Sequence, residues 1–269
     1  MSLSRVYAIF LRQLFLIRAN PARLATLFLW VIIDAVQWGF ITRYLDSLGQ
    51  SAFSFTTVIL GAIILWEFVT RIQHGLMRGF QEDIWTQNLI NYFASPLEIG
   101  EYLAGLVMAS LLTTLIGFWI MAFIAGLAFG YSILRIGLLL LPFASILSVF
   151  GVAMGIFASA IIFRVGPSGE WLGWPIPLVL SIFSGVYYPV STLPGYLQII
   201  ARCMPSCYVF ESMRTLLTSG TFSADLYVNL LFGSLLAVLF LLMTYKVFIV
   251  IYRHNLKTGA IARFNAEAL

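Results

Sequence analysis

Residues 187–217 read YYPVSTLPGYLQIIARCMPSCYVFESMRTLL, a stretch set among membrane-length apolar segments that cannot itself be an ordinary spanning helix. Prolines stand at 189, 194 and 205, and Arg202, Glu211 and Arg214 add charge. Proline removes a backbone donor and clashes with the preceding helical turn. Irregular backbone near a bilayer survives only where protein or water satisfies the freed groups. The stretch therefore predicts a broken, re-entrant element over 189–217, two short helices split near 191–194 and near Pro205.

The surroundings define the solvent. Hydrophobic residues make up 61% of the 269-residue chain and charged residues 10%, with a mean hydropathy of +0.97. No water-soluble core hides that much apolar surface, so the expectation is an all-α membrane protein in a lipid bilayer. The net charge of +4 is dispersed, with no basic run, which argues against a nucleic-acid partner. Two cysteines, Cys203 and Cys207, could bond to each other or stay reduced, since Pro205 between them disturbs the local geometry. Together with His74 and His254 they form no metal-ligand pattern, so no metal is expected.

Outward from the broken element, the apolar runs predict six transmembrane helices: 24–45, 57–77, 99–131, 136–163, 175–188 and 227–252, in a single domain over 1–269. Residues 1–20 precede them as an interfacial helix. Arg5 and Arg12 share one side of it, while Val6, Ile9, Phe10 and Phe15 can face the acyl boundary. With arginines interrupting its apolar residues, the N-terminus is not expected to be a cleaved signal peptide. Residues 47–56 read as an external connection and 164–174 as a loop. Between spans two and three, 78–95 mixes Glu82, Asp83 and Gln87 with Ile84, Trp85, Leu89, Ile90 and Phe93, an amphipathic helix ended at Ser95 and Pro96.

Counting basic residues on the two sides places eleven, including Arg5, Arg12, Arg78, Arg164 and Arg253, on the side of both termini, against Arg43, Arg135, Arg202 and Arg214 on the other. The positive-inside tendency then predicts cytoplasmic termini and an outward-facing 187–217.

No catalytic constellation is expected. The dipeptide Gly-Lys is absent, so there is no phosphate-binding loop of the GxxxxGK[ST] type, and no Ser, His and acid set shares a loop. Charges inside spans draw more interest, because each costs at least about 2.5 kcal/mol at the bilayer centre. Asp34 lies mid-span in the first helix, and Glu67, Arg71 and His74 share one face of the second. They line a substrate path or form an internally neutralised pair fixing helix register. Three GxxxG matches, at Gly75 and Gly79, Gly126 and Gly130, and Gly151 and Gly155, allow close helix approach.

Two signatures resemble the transmembrane subunits of type 2 ABC exporters, the ABC-2 permeases. One is FQEDIWTQNLINYFASPLEIGEYLAG, an amphipathic helix ending in Ser95 and Pro96 before an acidic-flanked span. The other comprises Pro189, Leu193, Pro194, Tyr196, Leu197 and Gln198, then Pro205, Tyr208, Glu211 and Arg214; Met204 stands where the family usually has Asn. The resemblance implies a permease subunit of an ATP-driven exporter in the inner (plasma) membrane, paired with a second permease copy, a homodimer, and with cytoplasmic ABC ATPase subunits. Those partners would hold ATP and Mg; the chain itself needs no cofactor and is no enzyme. Segment 82–95 would be the coupling helix docking on the ATPase through Ile84, Trp85, Leu89, Ile90, Phe93, Ser95 and Pro96, or else lie flat on headgroups. On this reading Asp34, Glu67 and Arg71 sit on the substrate path, and Tyr187, Tyr188, Pro189, Pro194, Tyr196, Tyr208, Glu211 and Arg214 form an outer gate. The substrate would be amphipathic, lipid-linked, or of a polysaccharide or drug type. The alternative is an ion- or proton-coupled carrier working without an ATPase.

Overall fold

A computed structural model describes residues 1–48, 56–219 and 224–258. Within them every regular element is helical. In chain order these are α1 (Leu3–Ala19), α2 (Pro21–Leu48), α3 (Gly61–Trp85), α4 (Asn88–Ala94), α5 (Ile99–Phe129), α6 (Leu140–Val165), α7 (Glu170–Gly173), α8 (Ile176–Phe183), α9 (Gly195–Arg202), α10 (Pro205–Ser219) and α11 (Ala224–Thr258). Local sequence sets several boundaries. Asn20 breaks α1 from α2 in extended backbone, with Pro21 opening the second helix. Glu98 and Glu101 cap α5 reciprocally, and Gly130, at φ 66°, closes it in the left-handed conformation.

Four helices are long and apolar enough to cross a membrane: Pro21–Leu48, Ile99–Phe129, Ile136–Val165 and Asp225–Thr258. They answer to the first, third, fourth and sixth expected spans. The second expected span, 57–77, is longer than its apolar run: after a π-helical turn at Thr56–Leu60, α3 continues unbroken to Trp85. Its charged residues lower its apolarity, and burial on nearly all sides compensates. The fifth, 175–188, is corrected more sharply. Its helix, α8, ends at Phe183 after eight residues, about 12 Å at 1.5 Å per residue and too short to cross. Gly185 at φ 73° turns the chain where a helix would otherwise continue. Residues 164–174, expected as a loop, contain a 3-10 turn at Pro167–Gly169 and α7. The connection at 47–56 falls mostly outside the described residues, as do Arg263 and the rest of the tail from 259; α2 itself runs to Leu48.

Helix neighbours run in the order α2, α5, α3, α6, α11, with α1 laid on α5 and α10 against α11 and α6. Glycines permit the two central contacts. A methyl at Gly151 would meet the Phe68 carbonyl oxygen at 2.9 Å and Val69 Cα at 3.1 Å, and one at Gly155 would meet Leu76 Cβ at 2.8 Å. Gly75 and Gly79 fit in the same way against Ser110 and Leu106 of α5. Two of the three GxxxG matches thus bring α3 close to α6 and α5, while the third supplies the cap of α5. Phe80 of α3 meets Phe163 of α6 edge-on (centroids 5.4 Å, 84°) and Phe248 of α11 (5.6 Å, 80°). On α2 and α11, Phe28, Leu29, Phe40, Phe232, Leu235 and Leu239 remain exposed, the surface a lipid solvent accepts.

The face of α1 differs from the expectation. Val6 and Ile9 are buried against α5, where Gly105 leaves room for them; a methyl there would come within 2.6 Å of Ile9 Cβ and 2.9 Å of the Val6 carbonyl oxygen. Phe15 remains exposed. Half of the apolar stripe that could have entered lipid, Val6 and Ile9, is thus spent on helix packing.

Gly151→Val is expected to lower the melting temperature of the purified chain in detergent, because the intruding atoms meet backbone that cannot move aside; overpacking of this kind costs about 1–3 kcal/mol. Gly195→Ala, at a helix start with nothing within 4 Å, is expected to leave it unchanged. Equal melting temperatures for wild type and Gly151→Val would contradict the close α3–α6 approach.

Candidate functional site

Along α3, residues 67, 71, 74, 78 and 82 recur at three- and four-residue spacing and share one face. That face borders a cavity of 570 Å³ closed by α1, α2, α5 and Trp174. Asp34, Glu67 and Arg71, the three residues expected on a substrate path, all line it, with His74, Arg78 and Glu82 nearer the α4 end of α3. Glu67, 8% exposed, accepts a 2.6 Å bond from Arg71 Nε. The guanidinium lies against α5 at Gly117, where a methyl would meet its Cζ at 2.8 Å. The neutralised pair and the cavity wall, alternatives in the sequence, are here the same residues. Arg23 pairs with Glu82 at 2.5 Å at the rim. Asp34 is half-buried, and among the described residues it makes no hydrogen bond or ion pair, though it lies within the field of Arg71.

Trp174 forms one edge of the cavity. Its ring packs on His74 (centroids 4.5 Å), and Arg78 stands over it at 5.2 Å. His74 Nε2 lies 3.2 Å from the Trp174 carbonyl oxygen, Gln73 donates to the Gly173 carbonyl at 3.1 Å, and Trp174 Nε1 donates to Glu170 at 2.9 Å. By its residue type at the end of a polar loop, Trp174 is an ordinary candidate for an interfacial anchor. Its pairing with His74 spans 100 residues and that with Arg78 nearly as many, and no local pattern signals it.

The α3–α4 corner holds the residues expected to dock a partner. The expected helix over 82–95 is divided: residues 82–85 belong to α3, Thr86 and Gln87 turn, with Gln87 left-handed at φ 59°, and α4 follows. Ile84 (6% exposed) and Leu89 (3%) are buried in the bundle and hold the corner in place, whereas Trp85 is 59% exposed. Ser95 and Pro96 are exposed after α4, where Ser95 Oγ donates to the Tyr92 carbonyl at 2.7 Å. Ile90 and Phe93 lie on α4, and their side chains fall outside the description.

One interaction here was not foreseen. Asp83, fully buried, takes Arg12 of α1 at 2.5 Å and the Tyr102 hydroxyl of α5 at 2.7 Å, while Arg12 also lies 5.5 Å from the Tyr92 ring centroid. Burial alone would lower the Arg12 pKa; its bonds and attraction to Asp83 outweigh that and hold it above its ordinary value. Burial, with Asp83 adding to it, pushes the Tyr92 phenol up to about 12, so the ring stays neutral. Arg5 completes the clamp, bonding Glu101 and the Pro96 carbonyl. The seven-residue spacing of Arg5 and Arg12 was a signal, since both reach acids on neighbouring helices from one side of α1.

The residues expected at an outer gate occupy the turn after α8, α9 and α10, and their contacts run to several helices. Tyr187 stacks on Trp38 of α2 (5.0 Å, 16°), Tyr208 on Phe232 of α11 (6.3 Å, 23°), and Tyr196 is exposed. Tyr188 donates to the Ile182 carbonyl at 2.7 Å. Pro189 caps a 3-10 turn, Val190–Thr192, and Pro194 caps α9. Glu211 accepts from the Val190 amide and from Arg214, each at 2.9 Å, and Arg214 donates to the Gly185 carbonyl at 2.9 Å. Cys203 and Cys207 are free thiols, one exposed and one buried.

Arg12→Met is expected to destabilise the chain by about 3 kcal/mol, because it strands the buried Asp83 carboxylate. Arg12→Met with Asp83→Asn is expected to recover more than half of that, since the amide oxygen still accepts from Tyr102. A double-mutant cycle read by thermal unfolding measures the coupling, and additive losses would deny the pair.

A search of curated proteins finds no match. A protein-family model described as ABC-2 type transporter matches residues 5–218, which include the cavity, the α3–α4 corner and the broken segment before α11. With four helices long and apolar enough to span, the chain is a multi-pass membrane protein and belongs to the ABC-2 type transporter family.

Proposed function

We propose that this chain is the permease subunit of an ATP-driven exporter, in which two permease copies, a homodimer, work with two cytoplasmic ABC ATPase subunits that hold ATP and Mg. The observation that carries the reading is the joint placement of the 570 Å³ cavity and the Arg12–Asp83 clamp on one helix, α3. Movement at the α3–α4 corner would be transmitted along a buried rod to the cavity wall, and through Arg12 to α1, whose Gln13 and Ile17 line the same cavity. Exposed Trp85 supplies the apolar anchor a partner ATPase would cover.

The orientation follows from the distribution of basic residues: both termini and the α3–α4 corner on the cytoplasmic side of the inner membrane, and residues 189–217 outside as a re-entrant element over the export path. The short α8 supports that arrangement, because a chain turning at Gly185 needs the following helices to satisfy its backbone near the membrane. Glu211 and Arg214 serve that end by tying the turn to α10. Asp34, Glu67 and Arg71 act on the path itself, with an amphipathic substrate entering laterally between α2 and α5.

The test is co-purification with an ATPase and measurement of substrate-stimulated ATP turnover in proteoliposomes. Trp85→Ala is expected to weaken coupling at least about fivefold, as truncation of an interface anchor does, with the melting temperature unchanged. Full coupling in Trp85→Ala would remove the corner from the interface. Gradient-driven transport by the chain alone, lost in Glu67→Gln, would replace the export reading with a secondary carrier.

A further inference from the structure

The charges around the cavity do not cancel locally. Arg71 is engaged by Glu67 at 2.6 Å and Arg23 by Glu82 at 2.5 Å. Arg78 lies over the Trp174 ring toward the α4 end. That leaves Asp34, half-buried in the cavity wall, whose carboxylate among the described residues accepts no hydrogen bond and meets no cation in contact. The lining balances overall, Arg23, Arg71 and Arg78 against Asp34, Glu67 and Glu82, but Asp34, Glu67 and Arg71 together give the end away from α4 one net negative charge. One helical turn before Asp34, on the same face of α2, Trp30 lines the cavity and is 61% exposed. A carboxylate and an indole at four-residue spacing, facing a largely apolar space, are the elements that recognise a desolvated cation: charge from one, the negative ring face from the other. Ile17, Leu106 and Ala109 supply apolar wall for the rest of such a molecule. The volume of 570 Å³ matches a drug-sized ligand.

A second unmatched group lines the same space. Gln13 of α1 is 6% exposed, lines the cavity, and its Nε2 has no hydrogen-bond partner. A buried amide without a partner costs about 1–3 kcal/mol, so the cavity carries polar demand that a ligand acceptor can meet as well as the cation demand at Asp34.

We propose that the cavity binds amphiphiles bearing a single ammonium- or phosphonium-type head, with the head held by the Asp34 carboxylate against the Trp30 ring and the apolar body along α1 and α5. The assignment rests on the export reading only for the direction of transport. Binding itself requires no ATPase.

The test uses two nearly isosteric ions of opposite charge, tetraphenylphosphonium and tetraphenylborate, in equilibrium binding to the full chain in nanodiscs, with empty nanodiscs subtracted. The expected result is saturable binding of the phosphonium that the borate does not displace. Asp34→Asn is expected to weaken it at least about tenfold and Trp30→Leu about threefold to tenfold, the usual reach of one charge and one cation–π contact, while Asp34→Glu retains it. Equal binding of the two ions by the wild type, a comparison that needs no variant to fold, overturns the proposal, as does unchanged affinity in a folded Asp34→Asn. Reconstitution with an ATPase separates the two readings. Phosphonium binding without ATP-driven movement leaves the site standing and removes the exporter. ATP-driven export of a neutral or anionic amphiphile, indifferent to Asp34→Asn and to added phosphonium, removes the cationic site and leaves the exporter.

Discussion

The charged face of α3 is the constraint around which the rest of the molecule is arranged. Glu67, Arg71, His74, Arg78, Glu82 and Asp83 sit on one helix of 25 residues, and a lone charge in hydrocarbon costs at least about 2.5 kcal/mol. The helix cannot face lipid, so other helices must surround it, and glycines let them come close enough. Gly151 and Gly155 bring α6 onto one side, and Gly75 and Gly79 bring α5 onto another. Each charge then finds something to meet: Glu67 for Arg71, Arg23 for Glu82, Arg12 for Asp83, the Trp174 ring for Arg78. Where the walls do not close completely, the 570 Å³ cavity remains.

This ordering explains why α1, an amphipathic helix by composition, is packed on protein. Two arginines of α1 and one at the start of α2 reach acids at the same end of the bundle, but they are not equivalent. Arg23 and Glu82 are partly exposed, and pairs of that kind contribute little net stability. Asp83 is wholly buried, so removing Arg12 would strand a charge, and that contact ties α1 to α3 and α5 in one register. Ile9 and Val6 fit at Gly105 only in the same register, so charge and shape agree. A helix fixed in this way lends its next residue, Gln13, to the cavity wall.

Much of this was legible in the residues themselves, and the limits follow from what sequence periodicity encodes. Apolar runs located the four helices that can span, and the spacing of Glu67, Arg71 and His74 placed a polar face on α3. Pro205 marked the start of α10, and Pro194 that of α9. Hydropathy misplaced the end of α3, because Glu82 and Asp83 look like a surface segment until Arg23 meets the first and Arg12 and Tyr102 meet the second from other helices. It lengthened α8, since Val186, Tyr187 and Tyr188 continue an apolar run that Gly185 has already turned. Ile84 and Leu89 read as free anchors for the same reason: an apolar residue at an amphipathic corner does not announce whether the bundle or a partner covers it. Trp174 was beyond reach, because its partners on α3, His74 and Arg78, lie about a hundred residues earlier in the chain.

The broken segment that organises the sequence is held by a different economy of polar groups. Its prolines free backbone donors and acceptors at the turn between α8 and α9, and two charged side chains of α10 take them up: Glu211 accepts the Val190 amide, and Arg214 serves the Gly185 carbonyl while bonding Glu211. Arg214 and Glu211 are therefore spent on backbone as well as on each other, which is the condition for irregular chain to persist away from water. Ser206 and Ser184 add a 2.8 Å bond between α10 and the end of α8. The turn and α10 are thus one unit joined by hydrogen bonds, and the contacts of Tyr187 with Trp38 of α2 and of Tyr208 with Phe232 of α11 tie that unit to two spanning helices at once. A displacement of α2 relative to α11 must accordingly either carry the turn with it or break an aromatic stack, so the segment is mechanically coupled to α2, the helix that presents Asp34 to the cavity.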